Sequence, residues 1–506
     1  MIYQYSEKVI IILASALLAL IFCVKKLHSL YLSNKWNCQE VLRIKHDYFG
    51  IQNAKKLFAY RNEGRDLQMQ RNLFIDYNTE TLRQTLLGKD LIYTCSIENI
   101  KAVVNHQFED FSIGYRHEAF KPLLGDGIFA TEGPKWKIAK TVLRPQFTRD
   151  QISDLHNLEI HVKNFAARIR EFKGEKFDVQ DLVLKLTLDA STDFLFNESV
   201  GSLTSQDYVS GGYTFEEAFN KVQKYIFARG LLQSLYWIYN PKDFRECLDV
   251  IHTFTHSFVE KALKMTSSEI EDKIAKSGGY VFIYELVKIT RDPKILHDHL
   301  LNIMLAGRNT TSALISSLIL ELARNPQVYE KLKNEVYLHF GDNENCDLDS
   351  INIDTMKKCN YLRHVVNEGL RLYPSVPQNY RCAKKNTTLP TGGGADGSKK
   401  VFIEKGQVVF MSFYSLQRSE RFYGKDANEF NPDRWESIKN PGGFMPFLSG
   451  PRICLGQQFA ITEASYIILR FCQLFPNLKS FETEYPPRIS ANATMKLRDG
   501  VFVSCS

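Results

Sequence analysis

The chain has 506 residues, a formal net charge of +7 and ten cysteines, and no Pro-, Gly- or Ser-rich linker divides it after the first forty residues. The modest charge is spread rather than blocked, so nucleic acid is not predicted as a partner. Scattered cysteines without a Cys-x-x-Cys pair are typical of a reducing compartment. We therefore expect an anchor and linker over residues 1–40 and one large domain over residues 41–506.

An uncharged apolar run, Val9 to Val24, lies near the start of the chain and is followed by Lys25 and Lys26. As a helix this run would be roughly 24 Å long, close to the ~27 Å hydrocarbon core of an endoplasmic reticulum bilayer. A signal peptide would carry its basic residues before the apolar core, whereas lysines after it favour the cytosol for that side. We predict a retained anchor; a cleaved signal and an interfacial helix are the alternatives.

Helical periodicity dominates the rest of the chain. The segment from Ile295 to Arg324 predicts a long helix whose apolar centre raises the question of a second membrane span. Arg308 lies in its middle, where a charge would be costly in lipid, so we predict a central core helix. A second helix is predicted over Leu362 to Leu372, and one short strand over residues 407–413. Strands are therefore expected to be a minority element.

Ten residues from Phe447 to Gly456, with the sequence Phe-Leu-Ser-Gly-Pro-Arg-Ile-Cys-Leu-Gly, fit a loop that offers one thiolate to a metal. Its glycines let backbone N–H groups turn toward the Cys454 sulfur, and a cation such as Arg452 lowers the pKa of a nearby thiol. A buried structural cysteine in a Gly-rich turn is the alternative. Because a thiolate on haem iron favours O–O cleavage, the loop predicts an axial haem ligand and oxygen activation.

The pattern Phe-x-x-Gly-x-Arg-x-Cys-x-Gly in this loop resembles the ligand loop of the cytochrome P450 haem-thiolate superfamily at every fixed position. The resemblance implies the cytochrome P450 fold, which is mainly α with a minor β region, here preceded by the N-terminal membrane anchor helix. It also implies haem b, bound through Cys454 as the axial ligand of the iron, with Phe447 and Gly456 beside it. Residues 41–506 would then form a haem-thiolate catalytic domain.

Glu368 and Arg371 are spaced i, i+3 on the second predicted helix, so their side chains share a face and can pair. Alone, such a pair is usually a solvated surface pair. The resemblance implies that they join the later Arg434, in Asn-Pro-Asp-Arg-Trp, in a charge network that holds the Cys loop. Breaking a buried network costs about 3–5 kcal/mol, so we expect such a variant to lose haem before it loses activity.

The long helix carries Ala-Gly-Arg-Asn-Thr-Thr at residues 306–311, which resembles the oxygen-activation motif of the family. Gly307 leaves room beside the haem face, and the Thr310 hydroxyl can hold water or dioxygen. An ordinary polar interruption of a core helix is the alternative. Asn309 stands where the family usually has Asp or Glu, and its amide cannot ionise to deliver protons. Ala306 excludes the covalent haem link that a glutamate makes in some relatives.

The two haem propionates need cations and N–H donors, and five residues are candidates. They are Trp136 and Lys140 in Trp-x-x-x-Lys, Arg381, Arg452 and His117. The family usually has arginine at the position of Lys140, where lysine keeps the charge but loses the bidentate fork. A plain surface lysine is the alternative reading of Lys140.

Five further segments, residues 120–129, 143–147, 194–200, 386–394 and 456–460, resemble the yeast branch that hydroxylates alkanes and fatty acids. That branch implies an anchor in the endoplasmic reticulum membrane, a cytosolic catalytic domain, and electrons from NADPH through NADPH-cytochrome P450 reductase. It also implies hydroxylation of the terminal carbon of long-chain n-alkanes or fatty acids. The expected partners are thus the reductase, membrane lipid and a small hydrophobic substrate.

Phe215 to Tyr239 is rich in aromatic and aliphatic residues. This stretch can line an apolar channel, dip into a membrane surface or simply belong to the core. Two functions stand beside the monooxygenase. An isomerase or dehydratase acting on oxidised lipid is prompted by Asn309, because such reactions need no proton delivery to dioxygen, and dependence on a reductase would separate the two. The other is a haem-binding protein without turnover, which product formation would exclude.

Overall fold

The computed structural model describes residues 2–45, 47, 49–148, 155–204, 208–276, 280–438 and 441–506. Their helices are α1 Ile2–Lys35, α2 Ile51–Asn62, α3 Asp66–Asp76, α4 Ile97–Lys101, α5 Arg116–Leu124, α6 Gly133–Leu143, α7 His156–Arg170, α8 Val179–Phe196, α9 Phe215–Leu232, α10 Lys242–Lys264, α11 Ser267–Lys276, α12 Phe282–Ile289, α13 Pro293–Arg324, α14 Pro326–Phe340, α15 Ile353–Met356, α16 Asn360–Leu372, α17 Phe413–Leu416, α18 Glu420–Tyr423, α19 Arg434–Ser437 and α20 Gln457–Leu474.

The strands are short, so the prediction of a mainly α fold with a minor β region is confirmed. They are β1 Thr81–Leu86, β2 Lys89–Thr94, β3 Phe111–Ser112, β4 Phe177–Asp178, β5 Val209–Ser210, β6 Tyr213–Thr214, β7 Gln378–Ala383, β8 Thr387–Gly393, β9 Lys399–Ile403, β10 Val408–Ser412, β11 Leu478–Ser480, β12 Ile489–Ala491, β13 Met495–Leu497 and β14 Phe502–Cys505. The strand expected over residues 407–413 is β10.

The chain forms two compact units, each assembled from separate stretches. The smaller unit contains residues 1–56, 72–112 and 380–412. The larger unit contains residues 57–71, 113–379 and 413–506. The expected division into an anchor over residues 1–40 and a single domain over residues 41–506 stays a prediction.

Most of the largest sheet lies in the smaller unit, with the strand order β1-β2-β10-β7-β3. β1 and β2 form an antiparallel hairpin, and β10 lies parallel to β2. The hairpin turn, Leu87-Gly88, has a positive φ at both residues, 48° and 78°, as the twist-matching type I′ turn requires.

α1 contains the apolar run, and the helix extends beyond that run to Lys35. From Ile11 to Lys35 its mean hydropathy reaches 2.0, and none of the apolar window is buried in protein. Twenty-five helical residues extend about 38 Å, which exceeds the ~30 Å hydrocarbon core of a bilayer. The helix thus suits a membrane anchor.

α13 crosses the core of the larger unit. The Asp292 carboxylate caps its first turn, where Pro293 is also placed favourably. α13 is apolar enough to cross a membrane, yet 72% of its apolar window is buried within the protein. This confirms the prediction of a core helix.

Two apolar clusters form the core of the larger unit, and α13 contributes to both. Residues 296–305 pack in one cluster with α5, α9, α10 and α12. Residues 313–323 pack in the other with α7, α8, α14, α16 and α20. The intervening segment, residues 306–312, contains the polar motif, so the fold places those polar side chains between two apolar halves.

Candidate functional site

The Cys454 loop lies in the larger unit and leads directly into α20. Gly450 has a φ of +78°, a value that glycine adopts without strain. The Cys454 N–H donates to the Phe447 carbonyl over 3.1 Å, and the Gly456 N–H donates to the Cys454 sulfur. Because α20 begins just after Gly456, its positive N-terminal end also favours a thiolate. The structure thus shows a backbone N–H group that points toward the sulfur, as the glycines of the loop predicted.

Arg452 does not play the predicted part in activating the thiol. Burial raises the pKa of the Cys454 thiol, and the group that lowers it is the Gly456 N–H. The Arg452 guanidinium instead donates to the carbonyls of Ile128 and Thr131, over 3.2 and 2.6 Å. The sequence motif identified Arg452 as a nearby cation, but it could not show which way the Arg452 side chain points.

The residues of the loop fit a haem with a thiolate ligand. The Cys454 side chain is accessible, and the protein around it raises the thiol pKa. Burial, and then Arg116, lower the pKa of Arg452 to about 10. Arg452 forms no ion pair within the described part of the chain, so an anionic propionate would relieve the cost of burying this cation.

α6 brings Trp136 and Lys140 to the same loop. The Lys140 Nζ donates to the Pro451 carbonyl over 2.7 Å and lies 5.3 Å from the centre of the Trp136 ring. The Arg452 guanidinium lies 4.6 Å from the same ring centre. Lys140 is thus a contact of the loop rather than a plain surface lysine, and both cations stand beside one buried indole.

His117 and Arg381 are placed differently. Both ring nitrogens of His117 face carboxylates, Nε2 at 2.9 Å from Asp126 and Nδ1 at 3.4 Å from Glu118. The His117 hydrogen bond is the main reason why the pKa of Asp126 falls to about 2. This pairing argues against the expected propionate contact, because both nitrogens of the imidazole already face carboxylates. Arg381 belongs to the smaller unit, is buried, and donates to the Tyr380 carbonyl over 2.7 Å.

Glu368, Arg371 and Arg434 meet inside the larger unit. The Arg371 guanidinium is bidentate on the Glu368 carboxylate, with distances of 2.8 and 2.9 Å. The Arg434 Nε donates to the same carboxylate over 3.0 Å. Glu368 and Arg371 are fully buried, so this is a buried network and not a solvated surface pair. The structure brings together the three residues that the resemblance implied.

Three members of this network were missed in the sequence. The Trp435 indole donates to Glu368 over 2.9 Å, and Asp426 pairs with Arg434 over 2.9 Å. The Gln417 carbonyl accepts from Arg371, and the Gln417 side chain accepts from the N–H of Met445, shortly before the Cys loop. Trp435 was in a recognised motif, whereas nothing in the local sequence marks Gln417.

The motif at residues 306–311 occupies the middle of α13. The Thr310 hydroxyl donates to the Ala306 carbonyl over 2.6 Å, the local bond that competes with the helix ladder. A Cβ added to Gly307 would meet one atom within 4 Å, the Ser191 Oγ at 3.5 Å. This distance is an ordinary van der Waals contact, so Gly307 lies close to Ser191 of α8.

Asn309 and Arg308 turn toward α9. The Asn309 amide donates to the Gln223 side chain, and its oxygen lies 3.4 Å from an Arg308 nitrogen. Arg308 is fully buried and contacts Asn220 at 2.6 Å and Glu216 at 3.2 Å. Burial lowers the pKa of Arg308 to about 10, which Glu216 partly opposes. These contacts could not be predicted from local sequence, because they join residues far apart in the chain.

Comparisons with known proteins agree with this geometry. A family model described as Cytochrome P450 matches residues 57–498. The chain is 46% identical to "Cytochrome P450 52A13" of Debaryomyces hansenii, over 98% of this chain and 97% of that one. It is also 46% identical to "Cytochrome P450 52A3-A" of Candida maltosa, over 90% and 89% of the two chains. With its thiolate loop and central α13, the chain therefore belongs to the cytochrome P450 family of haem-dependent monooxygenases.

Proposed function

We propose that the chain is a membrane-anchored monooxygenase that inserts one oxygen atom into the terminal C–H bond of long-chain n-alkanes or fatty acids. The observation that carries the proposal is the Cys454 loop, in which a backbone N–H donates to an accessible sulfur. Its similarity to two proteins named Cytochrome P450 52A agrees with a specialised yeast branch.

The residues divide the work around the haem, which when bound supplies the oxygen chemistry. Cys454 would hold the iron, and Arg452, Lys140 and Trp136 would hold the propionates. The Glu368 network, through Gln417, keeps the approach to the Cys loop in place. Gly307 and Thr310 would leave room for, and orient, what binds on the α13 side. We propose Arg381 as a further propionate contact on the resemblance alone.

The distribution of exposed apolar residues supports a membrane location. The structure divides the apolar stretch of residues 215–239 into two parts. Phe219 and Ile226 of α9 are fully buried in the core. The end of α9 and the short 3-10 helix Gln233–Ile238 expose their apolar side chains, namely Leu231, Leu232, Leu235, Trp237 and Ile238. In a chain that α1 anchors, a second exposed apolar surface is suited to contact with lipid.

We infer that α1 crosses the endoplasmic reticulum membrane once and leaves the catalytic part in the cytosol. Lys25 and Lys26, after the apolar run, support this orientation. A bilayer location also suits the proposed substrates, which partition into lipid. NADPH-cytochrome P450 reductase is the proposed electron donor, as the resemblance to the yeast branch implies.

The ligand is tested first, in the full-length haem protein. The reduced protein treated with carbon monoxide should show the absorption band of a thiolate-ligated haem, and Cys454→Ser should abolish it. Cys359→Ser is the matched control, because this buried thiol caps α16 in the apolar core and lies outside the Cys454 loop. A thiolate band that survives in Cys454→Ser would overturn the assignment.

The activity is tested with reductase, NADPH and a panel of n-alkanes and fatty acids. Terminal alcohols are expected, and only when both reductase and NADPH are present. Conversion of an oxidised lipid without reductase would instead favour the isomerase or dehydratase. Absence of product from every substrate would favour a haem-binding protein without turnover.

A further inference from the structure

Arg229 is a buried cation near the C-terminal end of α9, and it has no part in holding the haem. The residue is 5% exposed. It follows Val222 and Ile226 at helical spacings of four and three residues, so the three side chains share one stripe of α9. Both apolar members of the stripe are fully buried. A buried stripe that ends in a charge is costly unless the guanidinium finds polar partners.

Protein groups satisfy only part of the Arg229 guanidinium. Its Nε donates to the Ala119 carbonyl over 3.2 Å, and its Nη1 donates to the Tyr239 carbonyl over 2.9 Å. The centres of the Tyr236 and Phe244 rings lie 5.3 and 5.5 Å from the guanidinium carbon. The remaining nitrogen, Nη2, has no hydrogen-bond partner among the described residues. The guanidinium is thus fixed in place while one nitrogen stays available to a ligand.

No carboxylate in the described part of the chain forms an ion pair with Arg229. Asp243, in the first turn of α10, accepts hydrogen bonds from the hydroxyls of Tyr213 and Tyr225. It also accepts from the Lys221 Nζ over 3.2 Å, so this acid already has its own partners. Burial lowers the pKa of Arg229, and the neighbour that opposes this effect is a tyrosine. Because arginine stays protonated in proteins, Arg229 is a buried charge without a counter-ion.

A second arginine near this end of α9 already has an acid. The Arg61 guanidinium of α2 lies 4.6 Å from the centre of the Phe227 ring and 3.5 Å from the Asp66 carboxylate. It also donates to the Asn492 side chain over 3.1 Å. The charge of Arg61 is therefore balanced within the protein, whereas the charge of Arg229 is not.

α9 leads from the motif on α13 to this unbalanced cation. The Asn309 amide of α13 donates to Gln223 of α9, and Arg229 lies six residues further along the same helix. Six helical residues rise about 9 Å. Just beyond Arg229, the end of α9 and the 3-10 helix expose apolar side chains such as Leu231 and Leu235. Along α9, Arg229 therefore lies between the contact with the motif and the exposed apolar end.

We propose that Arg229 binds the carboxylate of a fatty acid substrate and makes this enzyme prefer fatty acids to n-alkanes. The free nitrogen donates to the carboxylate, and the apolar tail extends toward the motif on α13, where the terminal carbon is oxidised. The proposal rests on the proposed monooxygenase function and names the substrate class of the same site. An n-alkane has no group that could balance the charge.

A substrate carboxylate suits this site better than a phospholipid headgroup does. Arginine binds carboxylate and phosphate groups alike, and an apolar surface suited to lipid is close by. With 5% exposure, however, Arg229 is shielded from headgroups that remain at the membrane surface. A fatty acid carries its carboxylate on an apolar chain that can enter the protein. Holding that carboxylate away from the motif also leaves the opposite end of the chain to be oxidised.

The test compares Arg229→Met with the wild type in the full-length haem protein. The spectral change that accompanies substrate binding is titrated with a fatty acid, its methyl ester and the n-alkane of equal length. Loss of a hydrogen bond to a charged group should weaken binding of the acid by about tenfold or more. The dissociation constants of the ester and the alkane should stay at their wild-type values. Arg229→Lys should keep part of the preference for the acid, because it keeps the charge without the fork.

Arg245→Met is the matched control. Arg245 lies on α10 and donates to the Asn240 carbonyl over 3.0 Å, as Arg229 donates to loop carbonyls, but it is exposed. This variant should prefer the acid as the wild type does. Equal weakening of acid, ester and alkane in Arg229→Met would mean that Arg229 serves packing alone and would overturn the proposal. A preference for the acid that survives in Arg229→Met would overturn it as well.

Co-sedimentation with vesicles of neutral and of anionic phospholipid separates a substrate site from a lipid site. Arg229→Met should bind both kinds of vesicle as the wild type does. Weaker binding to the anionic vesicles, together with an unchanged preference for the acid, would assign Arg229 to lipid headgroups and contradict a substrate site.

The substrate site and the proposed function can fail separately. A wild-type protein that prefers the acid through Arg229 but forms no terminal alcohol would contradict the monooxygenase function and leave the carboxylate site supported. A wild-type protein that forms terminal alcohols but binds acid, ester and alkane equally well would support the function and contradict the carboxylate site.

Discussion

The hydrogen-bond partners of Asn309 explain why an amide suits this position. Its amide offers a donor to Gln223 and an acceptor to Arg308 at once. A carboxylate at this position could only accept, so it would lose the bond to the Gln223 oxygen while strengthening the contact with the buried Arg308. Asn309 therefore suits the junction of α13 with α9 and is unsuited to proton transfer.

Asn309→Asp is expected to raise the product formed per NADPH. The new carboxyl adds a group that can exchange protons on the α9 side of the motif. Coupling is measured as product, peroxide and NADPH consumed by the same sample.

Asn220→Asp is the control for that experiment, because it adds a carboxylate beside Arg308 from α9 without changing α13. It should leave coupling near the wild-type value. Unchanged or lower coupling in Asn309→Asp would show that the amide itself is the working group.

Glu368→Gln is expected to release haem before the fold is lost. The Glu368 carboxylate receives bonds from Arg371, Arg434 and Trp435, so neutralising it leaves the buried Arg371 guanidinium without its anion and leaves Arg434 with Asp426 alone. The cost should be about 3–5 kcal/mol. The haem-to-protein ratio and the thermal unfolding midpoint of the purified protein measure it.

Asp426→Asn is the comparison within the same network. The Asp426 side chain is 39% exposed, so loss of its pair with Arg434 should cost about 0–1 kcal/mol. Equal haem loss in the two variants would contradict a special role for the buried carboxylate.

At the scale of elements, the predictions that rest on local sequence signals agree with the structure. Contacts between elements that are far apart in the chain could not be predicted from such signals. Pro293 and Pro326 mark the ends of α13. Once Arg308 excludes a membrane span, the apolar composition of α13 predicts that its apolar residues are buried in the protein. The Glu368–Arg371 pair followed from i, i+3 spacing. In contrast, the contacts of α13 with Gln223 and Glu216 depend on how helices pack, which no periodicity encodes.

The exposed 3-10 helix Gln233–Ile238 should contribute membrane contact besides α1. Full-length Trp237→Ser/Ile238→Ser is expected to bind lipid vesicles through α1 alone, whereas a chain lacking residues 1–35 should retain weak binding through the 3-10 helix. Both side chains are at least 60% exposed, so burial in lipid recovers apolar surface. Vesicle co-sedimentation of the shortened chain with and without the two substitutions measures this contribution.

The thiolate band should be equal in these proteins and serves as the check on folding. A shortened chain that does not bind vesicles, or that binds equally with and without the serines, would contradict a lipid contact at the 3-10 helix. Leu338→Ser is a suitable control, because this leucine is 82% exposed on α14.

Across the larger unit, buried carboxylates differ in whether a cation accompanies them. Glu368 pairs with two arginines, and Glu159 pairs with Arg470 at 2.9 Å. Glu463 has a threonine for a neighbour and no cation within the described residues. An unpaired buried carboxyl favours its protonated form, so we expect Glu463 to make the stability of the whole protein depend on pH.

The thermal unfolding midpoint of the wild type, compared with Glu463→Gln, should fall as the pH rises. Desolvation raises the pKa of Glu463 from 4.5 to about 7 in the folded protein. Between these values the folded state keeps a proton that the unfolded chain releases, so stability declines from about pH 4.5 and levels off above about pH 7. The shift corresponds to a loss of about 3 kcal/mol relative to the variant.

Glu285→Gln is the control for this series, because Glu285 forms a surface pair with Lys288 at 2.8 Å. Its unfolding midpoint should follow that of the wild type across the whole pH range. Glutamine at position 463 cannot titrate, and the two proteins share every other ionisable group, so the difference between them isolates this carboxyl. A difference between wild type and Glu463→Gln that stays constant from pH 5 to pH 8 would mean that Glu463 is already ionised at pH 5, which would contradict the raised pKa.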